Sequence, residues 1–275
     1  MSGNEAGHES EDIDGLRVAT IGPADAELNV LVFMGMRACV DPVEMRRYDL
    51  LAREWKARVT VVDTPGCGYA GGKLSRPERA GLRHGDFTRV ARRMVYAATQ
   101  FDDRLRQRPV TLVGYSLGAG IAAAAAADPG LLRVGHLVAI EPASARRRNP
   151  LRLMAAARAE ERWVAGHPAE GADQFVPDSV PHRAGDLALL GYALSRGCFA
   201  RDMLRSNGVQ AFPLQVVHAD DSLVCPPDDI SRVVSRCRRS GMNVYDVAVS
   251  GRHGMWQSLS DVQNLARETR KQWTY

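Results

Sequence analysis

The chain of 275 residues is 45% hydrophobic and 25% charged, the balance of a soluble globular protein large enough for one α/β core plus an insertion. Its net charge of +4 is modest, and its basic character is almost all arginine, with Lys56, Lys73 and Lys271 the only lysines. That balance is read as composition rather than nucleic-acid recognition, and no run approaches the ~20 apolar residues of a membrane span.

Residues 1 to 14 are acidic and polar with no apolar signal core, and are expected to form a flexible tail. An opening strand follows over Leu16 to Ile21. Asn29 to Met36 is an apolar run ending near Gly35 and predicts a second strand; a helix is expected over Pro42 to Trp55. Val59 to Val62 predicts a strand running into a tight Pro65-Gly66 turn. Between Gly85 and Arg106, Phe87, Val90, Met94, Ala97, Phe101 and Leu105 recur at helical spacing, with Asp86 placed to cap the helix. Val110 to Val113 predicts a strand, Ala119 to Ala127 a helix, and Val134 to Ile140 another buried strand. Strands over Leu214 to His218 and Asn243 to Val249 alternate with helices over Asp228 to Arg238 and from Trp256 to Ala266. The alternation predicts a mostly parallel sheet flanked by helices. It breaks between Ala143 and Gly208, where helical patterns over Leu151 to Val164 and Asp186 to Leu204 surround a loop from His167 to Gly185.

Chemistry concentrates where Val113 runs into Gly114-Tyr115-Ser116-Leu117-Gly118 and then into the Ala-rich helix. The pentapeptide alone is a common pattern; a strand before it and a helix after it make it a sharp turn that exposes a serine hydroxyl. The two glycines allow strand and helix to approach closely, and free N–H groups at the helix start point toward the serine, where they can hold an anion. A serine hydroxyl needs a base, usually a histidine oriented by a carboxylate. His253, in Gly251-Arg252-His253-Gly254, follows one predicted strand and is the candidate base. Asp221 follows another and is the first-choice acid, with the adjacent Asp220, and Glu141 after Val134 to Ile140, as alternatives. The N–H groups of Leu117 and Met36 are the candidate oxyanion donors. Gly35, Tyr115, Cys39 and Trp256 are candidates to line the pocket. The other histidines, His8, His84, His136, His167, His182 and His218, are expected to be structural or surface residues.

With these residues in place, the chain resembles the α/β-hydrolase family over about residues 16 to 272. The matching motifs are Asp63-Thr64-Pro65-Gly66-Cys67-Gly68, Gly114-Tyr115-Ser116-Leu117-Gly118, Asp221-Ser222-Leu223-Val224-Cys225-Pro226 and Gly251-Arg252-His253. The resemblance implies Ser116 as nucleophile, Asp221 as orienting acid and His253 as general base. It also implies a helical cap over the site, giving a core over 15–142 and 209–275 and a cap over 143–208. One departure is Met34-Gly35 where many members have His-Gly.

Five cysteines, Cys39, Cys67, Cys198, Cys225 and Cys237, without a Cys-x-x-Cys pair point to a reducing, cytoplasmic setting and away from a disulfide framework or a metal site. Arg146-Arg147-Arg148 is the densest basic cluster and is expected to be a solvated turn. The expected activity is hydrolysis of a carboxylic ester or related acyl bond in a small-molecule substrate, with no metal or organic cofactor. A thioesterase or acyltransferase, and a noncatalytic binding protein on the same scaffold, are the alternatives.

Overall fold

The computed structural model describes residues 9–67, 72–166 and 183–273. The first elements are strands β1 (Glu9–Ile13), β2 (Leu16–Ile21) and β3 (Leu28–Phe33), then helix α1 (Pro42–Trp55) and strand β4 (Ala57–Val62). Helices α2 (Arg76–Arg83), α3 (Thr88–Phe101) and the short α4 (Arg104–Gln107) lead to β5 (Pro109–Tyr115), α5 (Leu117–Ala127) and β6 (Arg133–Ile140). The remainder is α6 (Pro150–Gly166), α7 (Ala184–Ser195), α8 (Phe199–Asn207), β7 (Leu214–Ala219), α9 (Pro227–Arg239), β8 (Val244–Val249), a 3-10 turn (His253–Gln257) and α10 (Leu259–Lys271).

The eight strands form one sheet in the order β1-β2-β4-β3-β5-β6-β7-β8. β2 runs antiparallel to both of its neighbours, β1 and β4, and the strands from β4 to β8 across the sheet are parallel, so the loops after β3, β5, β6, β7 and β8 all open on one edge. Alternating side chains feed two cores. Leu31 and Phe33 face the layer of α3, α5, α8 and α9, while Val30 and Val32 face α1 and α10. Trp55 ties the second layer together, since its indole N–H donates to the carbonyl of Ala266 at 2.8 Å; loss of so large a buried ring costs about 3–5 kcal/mol. Every residue of α5 is buried, and its alanines let neighbouring helices approach closely.

Several boundaries differ from expectation for local reasons. Residues 9–13 pair with β2 as an exposed edge strand instead of a tail, anchored by Asp12 on Arg17 and Asp14 on Arg93. The helix expected to run to Arg106 stops at Phe101, because the Asp102 carboxylate turns to Arg58 and Thr60 and accepts from the N–H of Arg104. Asp86 does accept from the N–H of Thr88, at 2.9 Å. The helix expected over 186–204 breaks at Gly197, which has φ +69°. Its second half, α8, packs on α5 and α9 with Phe199 and Met203 in the core. Of the helices between β6 and β7, α6 and α7 are therefore the ones outside that layer. Of the loop expected over 167–185, residues 167–182 lie outside the described residues.

Candidate active site

Ser116 sits between β5 and α5 with φ 54° and ψ −109°. A non-glycine residue at positive φ stores about 1–3 kcal/mol of strain and persists only when its surroundings force it. Here the N–H of Ser116 is held by the carbonyl of Ile140 at 2.9 Å. A Cβ on Gly114 would overlap the carbonyl of Gly118, and one on Gly118 would overlap the carbonyl oxygen of Phe33. The second glycine therefore does more than bring strand and helix together: it lets the end of β3 press on the start of α5. Leu117 opens that helix, so its N–H has no partner within the helix.

His253 opens the 3-10 turn after β8. Its Nε2 lies 3.0 Å from Ser116 Oγ and its Nδ1 lies 2.7 Å from Glu141 Oε2. With the carboxylate accepting at Nδ1, the proton belongs on Nδ1, and Nε2 is left to accept from the serine hydroxyl. Tyr115 sets the ring's position. Its ring stacks on His253, with centroids 5.4 Å apart, and its hydroxyl donates to the His253 carbonyl at 2.7 Å. Helix α6 covers the same turn so closely that a Cβ on Gly254 would overlap Val164.

The residue on His253 Nδ1 is Glu141, not the first-choice Asp221. Asp221 is 66% exposed and pairs with Arg252 Nε at 2.8 Å. Asp220 accepts from the N–H of Gly251 and the hydroxyl of Ser250. Both aspartates thus brace the loop that carries His253, without touching the ring. Glu141 is fully buried at φ 50°, just past β6. From there its side chain reaches the end of β7. The Ala219 N–H donates to Oε1 at 2.6 Å, and the Ser222 hydroxyl donates to Oε2 at 2.6 Å. Three donors offset the cost of burying this carboxylate. Ser222 was missed by sequence reasoning; its hydroxyl also accepts from the N–H of Cys225 at 2.9 Å, which ties the 222–225 loop to the acid. The only signal was Glu141 itself, an acid directly after an apolar strand.

The remaining candidates divide. Met36 is half-buried on the loop after β3, and a Cβ on Gly35 would come 2.8 Å from Tyr115 Cδ1, so this loop lies against the serine turn. Trp256 is buried; it stacks on Tyr115 and donates to Glu44 Oε2 at 3.2 Å, so it belongs to the core beneath the site instead of the pocket wall. Cys39 is buried beside Asp41, and burial first, then that carboxylate, push its thiol up. Polar atoms of Glu141, Cys225 and His253 lie within 4.8 Å of one another. Burial, and then the Glu141 charge, keep Cys225 a neutral thiol, so the group is a hydrogen-bonded acid–histidine pair with a thiol beside it. His136 is pulled down to about 4 by burial, His218 pairs with Asp246 at 3.1 Å, and His84 ends α2. His8, His167 and His182 lie outside the described residues.

Comparison with known proteins matches this architecture. The model of the alpha/beta hydrolase fold matches residues 48–202, more than half of the chain. The chain belongs to the α/β-hydrolase family. Among solved structures, this α/β hydrolase is similar to a lipase in its open form, at 15% identity and a TM-score of 0.65, covering 96% of this chain and 98% of that one. It is also similar to an esterase from Exiguobacterium antarcticum, at 15% identity and a TM-score of 0.62, covering 93% and 94%. A thioesterase domain from the curacin biosynthetic pathway aligns at 17% identity and a TM-score of 0.56, covering 96% and 99%. At such identities the likeness is one of fold. A search of the curated proteins finds no match. No helix among the described residues is long and apolar enough to cross a membrane.

Proposed function

We propose that this α/β hydrolase is a serine hydrolase, carboxylesterase-like, that cleaves a carboxylic ester or related acyl bond through Ser116, His253 and Glu141. The observation that carries the reading is His253, with Nε2 3.0 Å from the serine hydroxyl and Nδ1 2.7 Å from a buried carboxylate. Ser116 Oγ attacks the acyl carbon and its proton passes to Nε2. Glu141 holds the ring's tautomer and stabilises the imidazolium. The Leu117 and Met36 N–H groups receive the oxyanion. His253 then protonates the leaving group, and afterwards takes a proton from the water that releases the acid and restores Ser116. Helices α6 and α7 act as the cap, which excludes water from the acyl-enzyme. Free, buried thiols at all five cysteines support a reducing, cytoplasmic setting.

A thioester-linked acyl chain is the second reading, favoured by the arginines beside α7. Fluorophosphonate labelling of the folded protein, read by peptide mass, tests the common step. Label at Ser116, absent in Ser116→Ala and strongly slowed in His253→Ala, is the expected result. A folded protein that takes no label would overturn the mechanism and favour a noncatalytic binding role. Turnover in Ser116→Ala should fall by about three to six orders of magnitude.

A further inference from the structure

The buried stripe of α1 carries Met45, Tyr48, Leu51 and Trp55, and with them two charged residues. Glu44 is 7% exposed and Arg47 2%. They pair across one helical turn, with Arg47 Nη1 donating to Glu44 Oε1 at 2.9 Å. Burying an ion pair strips water from both charges, and an apolar pair of similar volume often packs as stably or more so. Stability of the core therefore gives no reason for charge at these two positions. What sets the pair apart is where its other contacts lead. Glu44 Oε2 accepts from the Trp256 indole N–H at 3.2 Å, and Arg47 Nη2 donates to Gln257 Oε1 at 3.3 Å.

Trp256 and Gln257 belong to the 3-10 turn that His253 opens. Side chains three residues apart eclipse one another in such a turn, so a hold on Trp256 is also a hold on His253. The rings agree. Both stack on Tyr115, His253 with centroids 5.4 Å apart and Trp256 at 5.0 Å, and Tyr48 of α1 packs on Trp256 at 5.7 Å. Glu44 and Arg47 thus grip two consecutive residues of the turn, and their bond to each other closes a ring of contacts. A single contact would let the turn swivel; two joined contacts from one helix resist it. The helix is itself fixed at this end. Asp41 accepts from the N–H groups of Val43 and Glu44, both at 2.8 Å, and Asp63 accepts from the N–H of Val40 at 2.7 Å.

We infer that Glu44 and Arg47 are positioning residues for His253, and that the buried pair fixes the 3-10 turn so that Nε2 meets Ser116 while Nδ1 meets Glu141. The inference rests on the hydrolase reading above and adds to it two residues that do not touch the reacting atoms. The ring has little latitude, with 3.0 Å on one side and 2.7 Å on the other. A ring that rocks with its turn cannot keep both contacts, and transfer of the serine proton needs Nε2 within hydrogen-bond reach. Loss of the pair therefore belongs in the chemical step and not in the binding of a reagent or substrate.

The test is fluorophosphonate labelling of the full chain over a range of reagent concentrations, which separates the rate at saturation from the affinity. Glu44→Leu/Arg47→Met removes both charges and keeps apolar bulk, so its melting temperature should equal or exceed that of the wild type. Its saturated rate should nevertheless fall by about tenfold to a hundredfold, with the affinity within about twofold. The downfield proton resonance of a histidine N–H held by a carboxylate, assigned by its loss in His253→Ala, should weaken in the same variant. Glu44→Gln/Arg47→Lys keeps an acceptor for Trp256 and a donor for Gln257, and should recover most of the rate and of the resonance. An apolar variant that folds, labels at the wild-type rate and keeps the resonance would overturn the inference and leave the hydrolase standing. Should that variant not fold, Gln257→Ala at a half-buried position replaces it. A saturated rate lower by about threefold or more, with a weakened resonance, is then expected, and wild-type values of both would overturn the inference. If Ser116 of the wild type takes no label, the hydrolase reading fails, and the resonance alone decides whether the pair holds His253.

Discussion

The serine end of the candidate site is built from neighbours in the chain, whereas the acid end is assembled from the ends of three strands. Ser116 is held by Gly114 and Gly118, each two residues away, and by the backbone of β3 and β6. Glu141 leaves β6, crosses the end of β7 to take the Ala219 N–H, receives the Ser222 hydroxyl from the next loop, and meets His253 beyond β8. A site made this way concentrates its rigidity at the nucleophile and distributes the placement of its acid over many contacts. Substitutions around the nucleophile should therefore act abruptly, and those among the contacts that place the acid by degrees.

The largest effect separates the carboxylates. Glu141→Gln should slow fluorophosphonate labelling of Ser116 by about 10³–10⁴-fold, because the amide neither stabilises the imidazolium nor fixes the tautomer. Asp221→Asn should stay within about threefold of wild type, since among the described residues that carboxylate meets only Arg252. The opposite ranking would return the acid to the loop after β7. Gly118→Ala comes next. The added methyl meets backbone on β3, and backbone cannot give way as a side chain does. A loss of about 3 kcal/mol or more in denaturant unfolding is expected, together with slower labelling. A Gly118→Ala protein of wild-type stability would show that the contact between β3 and α5 is loose.

At the acid end, Ser222→Ala removes one of the three donors to Glu141 and orphans the N–H of Cys225. A loss of about tenfold in kcat with little change in KM is expected, consistent with about 1–3 kcal/mol for an unmade buried hydrogen bond. Ser222→Thr should recover part of it. Equal loss in kcat and kcat/KM from Glu141→Gln, but a purely structural loss from Ser222→Ala, would mean that the hydroxyl supports the loop and not the acid.

The same contrast explains what the chain's order of residues revealed. Ser116 and its glycines are legible because the strand, turn and helix that constrain them are contiguous, and the parallel sheet is legible because its strands are apolar runs. His253 follows the last strand between glycines and is legible for the same reason. Which of Asp220, Asp221 and Glu141 meets His253 Nδ1 depends on which side chain crosses from one strand end to another. That crossing starts from Glu141 at φ 50° and ends on the N–H of Ala219, neither of which leaves a local pattern. The helix breaks at Asp102 and Gly197 were hidden similarly, since their partners are Arg58 and Thr60 on β4 in one case and the backbone of Arg147 in the other.

The smallest expected effect tests whether the strand that supports the acid is itself pH-dependent. His218, on β7 beside Ala219, is raised above its ordinary value, mainly by its hydrogen bond to Asp246 on β8; burial opposes the shift, and the charge of Glu141 adds to it. A histidine whose folded value is raised binds its proton more tightly in the folded chain. Its stabilisation is therefore fully present below the unfolded value, near 6.5, and is lost as pH rises through the higher folded value. Asp246 is 29% exposed, so solvent limits the pair to about 1 kcal/mol. Melting curves of wild type and Asp246→Asn should differ by a few degrees at about pH 5.5 and converge well above neutrality. A gap that stays constant over that range would mean that Asp246 supports β7 by packing, and that the acid end of the site is indifferent to the protonation of its neighbour.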